Sequence, residues 1–278
     1  MLHPEANVPP LRLNEVLGGL VHPAIDLAAG ACVLDVGREV GNWTQELAAS
    51  YPQQHLVRVE MGTPAVSAGR QRKEWAEVTS TWVPDVLQLE DRFAPASFDV
   101  ISVHFCAAEV LLQHFPVLMH ALLHLCKEQG HLVWLETDLP ITCDDAYERL
   151  AWLLIGAMRA RGDRVACLCV PQVGIGAWME CWLHDAGWKI IDTICSRATI
   201  SAGVPLHDLF VQQVQHFAPH LYSFLLGMQV ATPQVLDDLF AQVQQEMRHK
   251  DFFGFCPLSR FVCMKPPLWQ SRRWWGKG

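Results

Sequence analysis

The chain has 278 residues, of which 51% are hydrophobic and 18% are charged. This composition excludes a disordered chain and predicts a globular protein with a sizeable core, as one large domain or two small ones. The net charge of −8 argues against a general affinity for nucleic acid or for anionic membranes.

The opening residues and the cysteines indicate a cytoplasmic protein. Met1–Pro10 contains Glu5 and three prolines, which is not typical of a signal peptide. The most apolar stretch, Val110–Cys126, is interrupted by polar residues and by Pro116, so we expect no membrane span. The ten cysteines include no C-x-x-C pair, and we expect reduced, buried thiols.

The first part of the chain predicts a helical lead-in followed by a strand-turn-helix-strand unit. Leu13, Val16, Leu17 and Leu20 are spaced for one helical face within residues 1–29, although Gly18-Gly19 and Pro23 interrupt the pattern. The unit then consists of a strand at Cys32–Val36, a turn from Gly37 to Gly41, a helix at Trp43–Ser50 and a second strand at His55–Val59, closed by Glu60.

Further strands and helices alternate along the rest of the chain. We expect helices at Pro64–Glu77 and Ala107–Cys126, the latter ended by Gly130. Strands are predicted at Ser80–Val83, Phe98–Phe105, His131–Glu136, Gly187–Ser196 and Ser259–Lys265. This alternation predicts an α/β fold, a three-layer sandwich around a mostly parallel seven-stranded sheet.

Two segments are longer than ordinary connections between strands. Residues 137–186 and 197–258 contain helical patterns at Ala146–Arg161 and Val235–Arg248. Late insertions in such a sheet lie on the ligand side, so we expect a helical cap on a single domain spanning 1–278. The basic, Trp-rich segment 266–278 is either a flexible tail or packs on the cap through its tryptophans.

The segment Ala31–Gly62 carries the strongest chemical signal. A glycine turn at a helix N-terminus exposes backbone N–H groups, which favour an anionic ligand group. An acid that closes the second strand, here Glu60, can accept hydrogen bonds from both hydroxyls of a ribose. The two features together predict an adenosine-containing cofactor.

These residues resemble motif I of the class I S-adenosylmethionine-dependent methyltransferases. Val33, Leu34, Asp35, Gly37 and Gly41 match the family pattern V-L-D-x-G-x-G-x-G, and Glu60 stands at the ribose acid. Glu39 replaces the middle glycine. Phe98–Ile101 resembles the fourth strand of the family and Gly130–Glu136 its fifth. The arrangement is most similar to the small-molecule methyltransferases of ubiquinone and menaquinone biosynthesis.

The resemblance implies a Rossmann-like methyltransferase sheet with S-adenosylmethionine as the cofactor. The residues it implies at the cofactor are Asp35, Gly37, Gly41, Trp43, Glu60, Met61, Asp85, Val86 and His104. For some of these residues an ordinary role stays open. Asp35 could cap only the following helix, Trp43 could belong to the core, and Asp85 could be a surface acid.

His104 is the candidate catalytic residue. It ends the fourth strand on the ligand side, where it could act as a base toward an acidic hydroxyl, or could serve packing alone. His120 and His124 are four residues apart on one helical pattern, but no third ligand stands at a diagnostic spacing, so we predict no metal site. We interpret Cys167 and Cys169 as small apolar residues.

Three functions remain open from the sequence. The first is methyl transfer to a small, apolar or aromatic acceptor of secondary metabolism, with no nucleic-acid or membrane partner and with a homodimer as an open alternative. The second is a non-methylating enzyme on the same fold, catalysing cyclisation or rearrangement. The third is a degenerate relative that binds only a ligand. Glu39 discriminates among them, because it adds bulk and negative charge beside the carboxylate of the cofactor.

Overall fold

The computed structural model describes residues 19–37, 43–61, 78–83, 88–108, 110, 112–163 and 171–267. These residues divide into two compact units. Unit one contains 137–175 and 196–258, and unit two contains 19–136, 176–195 and 259–267. The two predicted insertions therefore fall in unit one, except for residues 176–186. Their role as a cap stays a prediction.

Eight strands are found in the described ranges. They are β1 (Cys32–Gly37), β2 (His55–Met61), β3 (Val78–Val83), β4 (Phe98–His104), β5 (Cys126–Thr137), β6 (Ile141–Thr142), β7 (Lys189–Thr199) and β8 (Gly254–Met264). Each strand predicted from the sequence is present. The short strand β6 was not predicted.

Seven α-helices lie in the same ranges. They are α1 (Trp43–Ser50), α2 (Leu89–Arg92), α3 (Phe115–Leu125), α4 (Asp145–Arg161), α5 (Ile175–Asp185), α6 (Pro205–Gly227) and α7 (Pro233–Met247). The predicted helices at 146–161 and 235–248 are confirmed within two residues as α4 and α7. The predicted helix at 64–77 lies outside the described residues.

The strands form one sheet in the order β3-β2-β1-β4-β5-β8-β6, with β7 also paired to β8. Strands β3, β2, β1, β4 and β5 are parallel to their neighbours. Gln129 and Gly130 bond to Lys265, whereas Asp138 bonds to Pro257, so β8 runs opposite to β5. The predicted fold class, a mostly parallel α/β sheet with helices, is confirmed.

The central strands are apolar on both faces, as a covered parallel sheet requires. Val33, Leu34 and Val36 of β1 are buried, and so are Val100, Ile101 and Val103 of β4. Burial of these side chains provides the hydrophobic stabilisation of unit two. The carboxyl ends of β1 and β4 are thereby held rigidly side by side.

The prediction of one helix over Ala107–Cys126 was wrong in its bounds. Short 3-10 turns occupy Cys106–Ala108 and Leu112–His114, and α3 begins only at Phe115. Pro116 lies in the first turn of α3, where its missing N–H costs nothing. This proline defines the start of the helix.

Gly130 does not end that helix. Helix α3 stops at Leu125, and Gly130 lies inside β5, where a Cβ atom would be 2.9 Å from the carbonyl oxygen of Asp99. The pairing of β4 with β5 shifts register between Phe98 and Val100. Glycine is therefore required by a close backbone approach at an irregularity of the sheet.

The predicted lead-in also differs from the structure. Residues 19–29 contain bends and turns but no helix. Gly19 has a φ of 134° and Pro23 follows, so helical backbone is disfavoured there. The remainder of the lead-in, before residue 19, lies outside the described residues.

Unit one has a helical core of its own. Helices α4, α6 and α7 supply most of its buried apolar side chains, which include Leu150, Leu225, Leu239, Phe240 and Val243. Helix α6 was not predicted. In the part of the chain that the structure describes, no helix combines the length and the hydropathy needed to span a membrane.

Candidate functional site

The strand order reverses between β1 and β4, and this is where open α/β sheets bind ligands. At the carboxyl end of β1, Gly37 pairs with His104, the last residue of β4. Gly37 has a φ of 138°, and a Cβ added to it would overlap the carbonyl oxygen of His104. Only glycine fits at this position, because the backbone of β4 lies too close for a side chain on β1.

The residue after His104 also has an unusual backbone. Phe105 has a φ of 51°, which is rare for a bulky side chain. Its N–H donates to the carbonyl oxygen of Leu135 at 2.9 Å, which holds the chain in this conformation. Strained residues of this kind cluster at functional sites, although nothing in the sequence signals this one.

Glu60 lies at the same edge of the sheet. The residue before it, Val59, pairs with Val36, and Glu60 itself pairs with Trp82 of β3. Its backbone therefore stands beside that of Gly37. Met61 pairs with Val83. Gly41, Asp85 and Val86, which were also predicted at the cofactor, lie outside the described residues, and so does Glu39.

Asp35 is buried and has two partners that the sequence did not reveal. Its Oδ2 accepts a short hydrogen bond from the Thr44 hydroxyl and lies 3.5 Å from Nη1 of Arg58. Arg58 also donates to Thr44 Oγ1 at 3.0 Å. Asp35 therefore ties the start of α1 to β1 and β2 through side chains.

Arg58 lies in the candidate site and was not predicted there from the sequence. It pairs with Asp35 in the register of β2 on β1 and is 4% exposed. A buried arginine normally needs an anionic partner. The signal available in the sequence was a lone charge inside the apolar strand HLVRV, two positions before the acid that closes it.

His104 is buried against polar and aromatic partners. Its Nε2 lies 2.6 Å from Ser102 Oγ and 3.7 Å from Asp35 Oδ1. Its ring centroid is 4.8 Å from that of Trp43. Burial lowers the pKa of His104, opposed by the negative charge of Asp35 and reinforced by the positive charge of Arg58. The imidazole is therefore neutral at neutral pH.

The other ring nitrogen, His104 Nδ1, is buried and has no hydrogen-bond partner among the described residues. His104 lines a mostly apolar pocket on this face of the sheet. The lining comes from β1, β4, β5, α1, the 19–27 segment and Arg260, and includes Val33, Trp43, Leu47, Val100, Ser102 and Val133. Its enclosed part holds about one water molecule, so a nucleoside would not fit there.

Trp43 begins α1 and is buried beside His104. Its indole Nε1 donates to the carbonyl oxygen of Leu20 at 3.2 Å. The side chain thus fastens the segment before β1 to the first turn of α1. It lines the pocket and packs as core at the same time.

Other candidate residues are placed elsewhere. Cys143, Cys181 and Cys195 are exposed thiols, contrary to the expectation of burial, and Cys167 and Cys169 lie outside the described residues. Within the described ranges, no group of three or more His, Cys, Asp or Glu side chains is arranged to hold a metal ion.

Of the two tryptophans of α5, Trp182 is buried in the core of unit two and Trp178 is half-buried. The ring centroid of Trp182 is 6.1 Å from that of Trp178 and 5.6 Å from that of Phe115. Phe115 packs in turn on the fully buried Trp134. Trp182 thus packs as a core residue, and a substrate pocket in the cap stays a prediction.

The sequence matches no protein-family model, and no curated protein matches it. One similar solved structure is phosphoethanolamine N-methyltransferase 2 of Haemonchus contortus in complex with phosphomonomethylethanolamine and S-adenosylhomocysteine. It is 15% identical to this chain, with a TM-score of 0.48, and the match covers 93% of this chain and 54% of that one. Geranyl diphosphate methyltransferase with GPP and sinefungin has 10% identity and a TM-score of 0.48, with coverage of 92% and 78%. The (4+2)-cyclase SpnF has 16% identity and a TM-score of 0.45, with coverage of 91% of both chains.

The chain spans about half the length of the Haemonchus contortus enzyme, with 50% and 54% of that chain covered in two structures. The fold assignment rests on the strand order and helices described above.

Proposed function

We propose that the chain binds S-adenosylmethionine at the carboxyl ends of β1, β2 and β4 and transfers its methyl group to a small acceptor. The observation that supports the proposal is the place of Gly37 at the reversal of strand order, with the backbone of Glu60 beside it. In doubly wound sheets a glycine turn and a strand-end acid at such a reversal bind a nucleoside ligand. The resemblance of Val33–Gly41 to motif I of the class I methyltransferases indicates S-adenosylmethionine as that ligand.

Several residues would hold the cofactor. Gly37 and Gly41 would let the backbone approach its methionine end, and Glu60 would accept hydrogen bonds from the ribose hydroxyls. Met61, Asp85 and Val86 would lie along the adenosine, and Trp43 and His104 beneath the turn. When bound, S-adenosylmethionine supplies a methyl group on a positively charged sulfur, which is an excellent leaving group.

The protein then has three tasks: to align the acceptor with the methyl group, to exclude water and to remove a proton from the acceptor. His104 is suited to the third task, since its imidazole is neutral and its Nδ1 is buried without a partner in the described ranges. We expect an apolar or aromatic acceptor that bears a hydroxyl and binds outside the enclosed part of this pocket, which holds about one water molecule.

Calorimetry with S-adenosylmethionine and S-adenosylhomocysteine tests the proposal. We expect Glu60→Ala to weaken binding by about 1.5–3 kcal/mol, since hydrogen bonds to a charged acceptor are lost. Glu128→Ala is the matched control, because Glu128 is an exposed acid near the amino end of β5. Wild-type protein that binds neither compound at millimolar concentration would contradict the proposal.

Turnover separates methyl transfer from the alternatives. Formation of S-adenosylhomocysteine with a phenolic or carbon-acid acceptor supports methyl transfer. Cofactor binding without methyl loss across such acceptors would favour a non-methylating enzyme on this fold. Absence of binding would favour the degenerate relative.

A further inference from the structure

A row of buried polar side chains crosses three strands below the candidate site. Arg58 of β2, Asp35 of β1 and Ser102 of β4 are in register with one another, and His104 stands two residues beyond Ser102. All four are at least nine-tenths buried. Burying a polar group in a sheet costs free energy unless the group has a hydrogen-bond or ionic partner. The contacts within this row therefore determine the protonation and orientation of each side chain.

The two carboxylate oxygens of Asp35 have different surroundings. Oδ2 accepts from the Thr44 hydroxyl and faces Arg58 Nη1, so both of these donors converge on one oxygen. Oδ1 is the oxygen nearer to His104, 3.7 Å from Nε2. The carboxylate therefore presents a negative oxygen to one particular nitrogen of the imidazole.

We propose that Asp35 is a positioning residue for His104, holding the imidazole in the tautomer that carries its proton on Nε2 and leaves the buried Nδ1 unprotonated. An ionised carboxylate can only accept, so it favours a proton on the nitrogen that it faces. The Ser102 hydroxyl, 2.6 Å from the same Nε2, can donate or accept and adapts to either tautomer. The inference rests on the proposed function in one respect: His104 would take the proton from the hydroxyl of the methylated molecule.

The surroundings of the ring keep this arrangement in place. Trp43 packs on the imidazole at 4.8 Å between centroids, and Ser102 holds one ring edge. The charged groups that act on His104 are Asp35 and Arg58, whose opposite charges partly cancel, while burial disfavours the imidazolium. A neutral ring in a single orientation has one free lone pair, and that lone pair belongs to Nδ1.

Asp35→Asn gives a prediction with a defined direction. Thr44 and Arg58 both donate toward the position of Oδ2, so the carbonyl oxygen of the new amide would take that position. The amide nitrogen would then replace Oδ1 and face His104 Nε2 with its N–H groups. Positive N–H groups at this distance disfavour a proton on Nε2, so the proton of the imidazole would move to Nδ1 and Nδ1 would no longer be an acceptor.

Long-range 1H–15N spectra of 15N-histidine-labelled protein report the tautomer directly. The His104 signals are assigned by their absence in His104→Gln, among the 13 histidines of the chain. We expect a protonated Nε2 in wild-type protein and in Ser102→Ala, and a protonated Nδ1 in Asp35→Asn. Asp99→Asn is the matched control, since Asp99 lies on β4 in an ion pair with Lys127 and should leave His104 unchanged.

A wild-type ring protonated on Nδ1 would overturn the inference, and this result is available even if Asp35→Asn does not fold. An unchanged tautomer in folded Asp35→Asn would overturn it equally. Because the spectra need neither cofactor nor turnover, their outcome is independent of the proposed function, which the calorimetry tests.

Where methyl transfer is measurable, the same variant distinguishes positioning from cofactor binding. We expect Asp35→Asn to lower kcat by about 10²–10⁴-fold, the range for loss of a general base or its correct tautomer. Its affinity for S-adenosylhomocysteine should stay within about threefold of wild type. A large loss of affinity with an unchanged tautomer would instead place Asp35 on the cofactor.

Discussion

Replacing Gly37 with alanine should destabilise unit two strongly, because the new side chain has no room. A residue with a side chain at a φ of 138° costs about 1–3 kcal/mol of backbone strain. In addition, the Cβ would overlap the His104 carbonyl oxygen and lie 3.2 Å from its carbonyl carbon. That carbonyl belongs to a strand hydrogen-bonded in the middle of the sheet and cannot move freely, so overpacking adds about 1–3 kcal/mol.

Gly30→Ala is the matched control for this prediction. Gly30 precedes β1, has a φ of 80°, and a Cβ there would meet nothing within 4 Å. The control therefore has the backbone strain and the change in chain entropy without the clash. We expect Gly37→Ala to be the less stable of the two by about 1–3 kcal/mol.

Urea unfolding followed by tryptophan fluorescence measures both variants, with the comparison made at equal m-values. Calorimetry adds a second readout, in which Gly37→Ala loses affinity for S-adenosylhomocysteine and Gly30→Ala does not. Equal unfolding midpoints for the two variants would refute the argument, since the carbonyl of His104 would then have moved aside at no cost.

Two further predictions concern the buried charges. Arg58→Met should lower the free energy of unfolding by about 3–5 kcal/mol, because it leaves the Asp35 carboxylate buried without the arginine. Lys127→Met, the control, breaks an exposed ion pair with Asp99 and should lower it by about 0–1 kcal/mol. Similar losses in the two variants would contradict the assignment of Arg58 to a buried ion pair. Burial lowers the pKa of His104 below its ordinary value of 6.5. As the pH falls below 6.5, the imidazole therefore becomes protonated in the unfolded chain but not in the folded protein. The free energy of unfolding should then decrease by up to about 1.4 kcal/mol per pH unit. Unfolding curves of His104→Gln between pH 7 and pH 5 should lack this component, and identical slopes in the two proteins would rule it out.

Local patterns in the sequence were sufficient to predict the sheet strands, because apolar runs between turn residues are a local property. They were less reliable for elements whose bounds depend on contacts. Gly130 ends no helix but allows β5 to approach β4, and α3 begins at Phe115 rather than at residue 107. The packing of Trp182 on Phe115 in the core of unit two likewise depends on a contact between distant parts of the chain.

The sequence by itself determined the class of fold and the end of β1 at Gly37, since periodicity and a glycine after an apolar strand are readable within a few residues. Only the tertiary structure decided which side chains meet near the carboxyl end of β1. Arg58 and His104 are 23 and 69 residues from Asp35, and parallel pairing of β2 and β4 with β1 brings them together. Strand register depends on the burial of whole strand faces, so no local pattern around Arg58 could specify that its partner is Asp35.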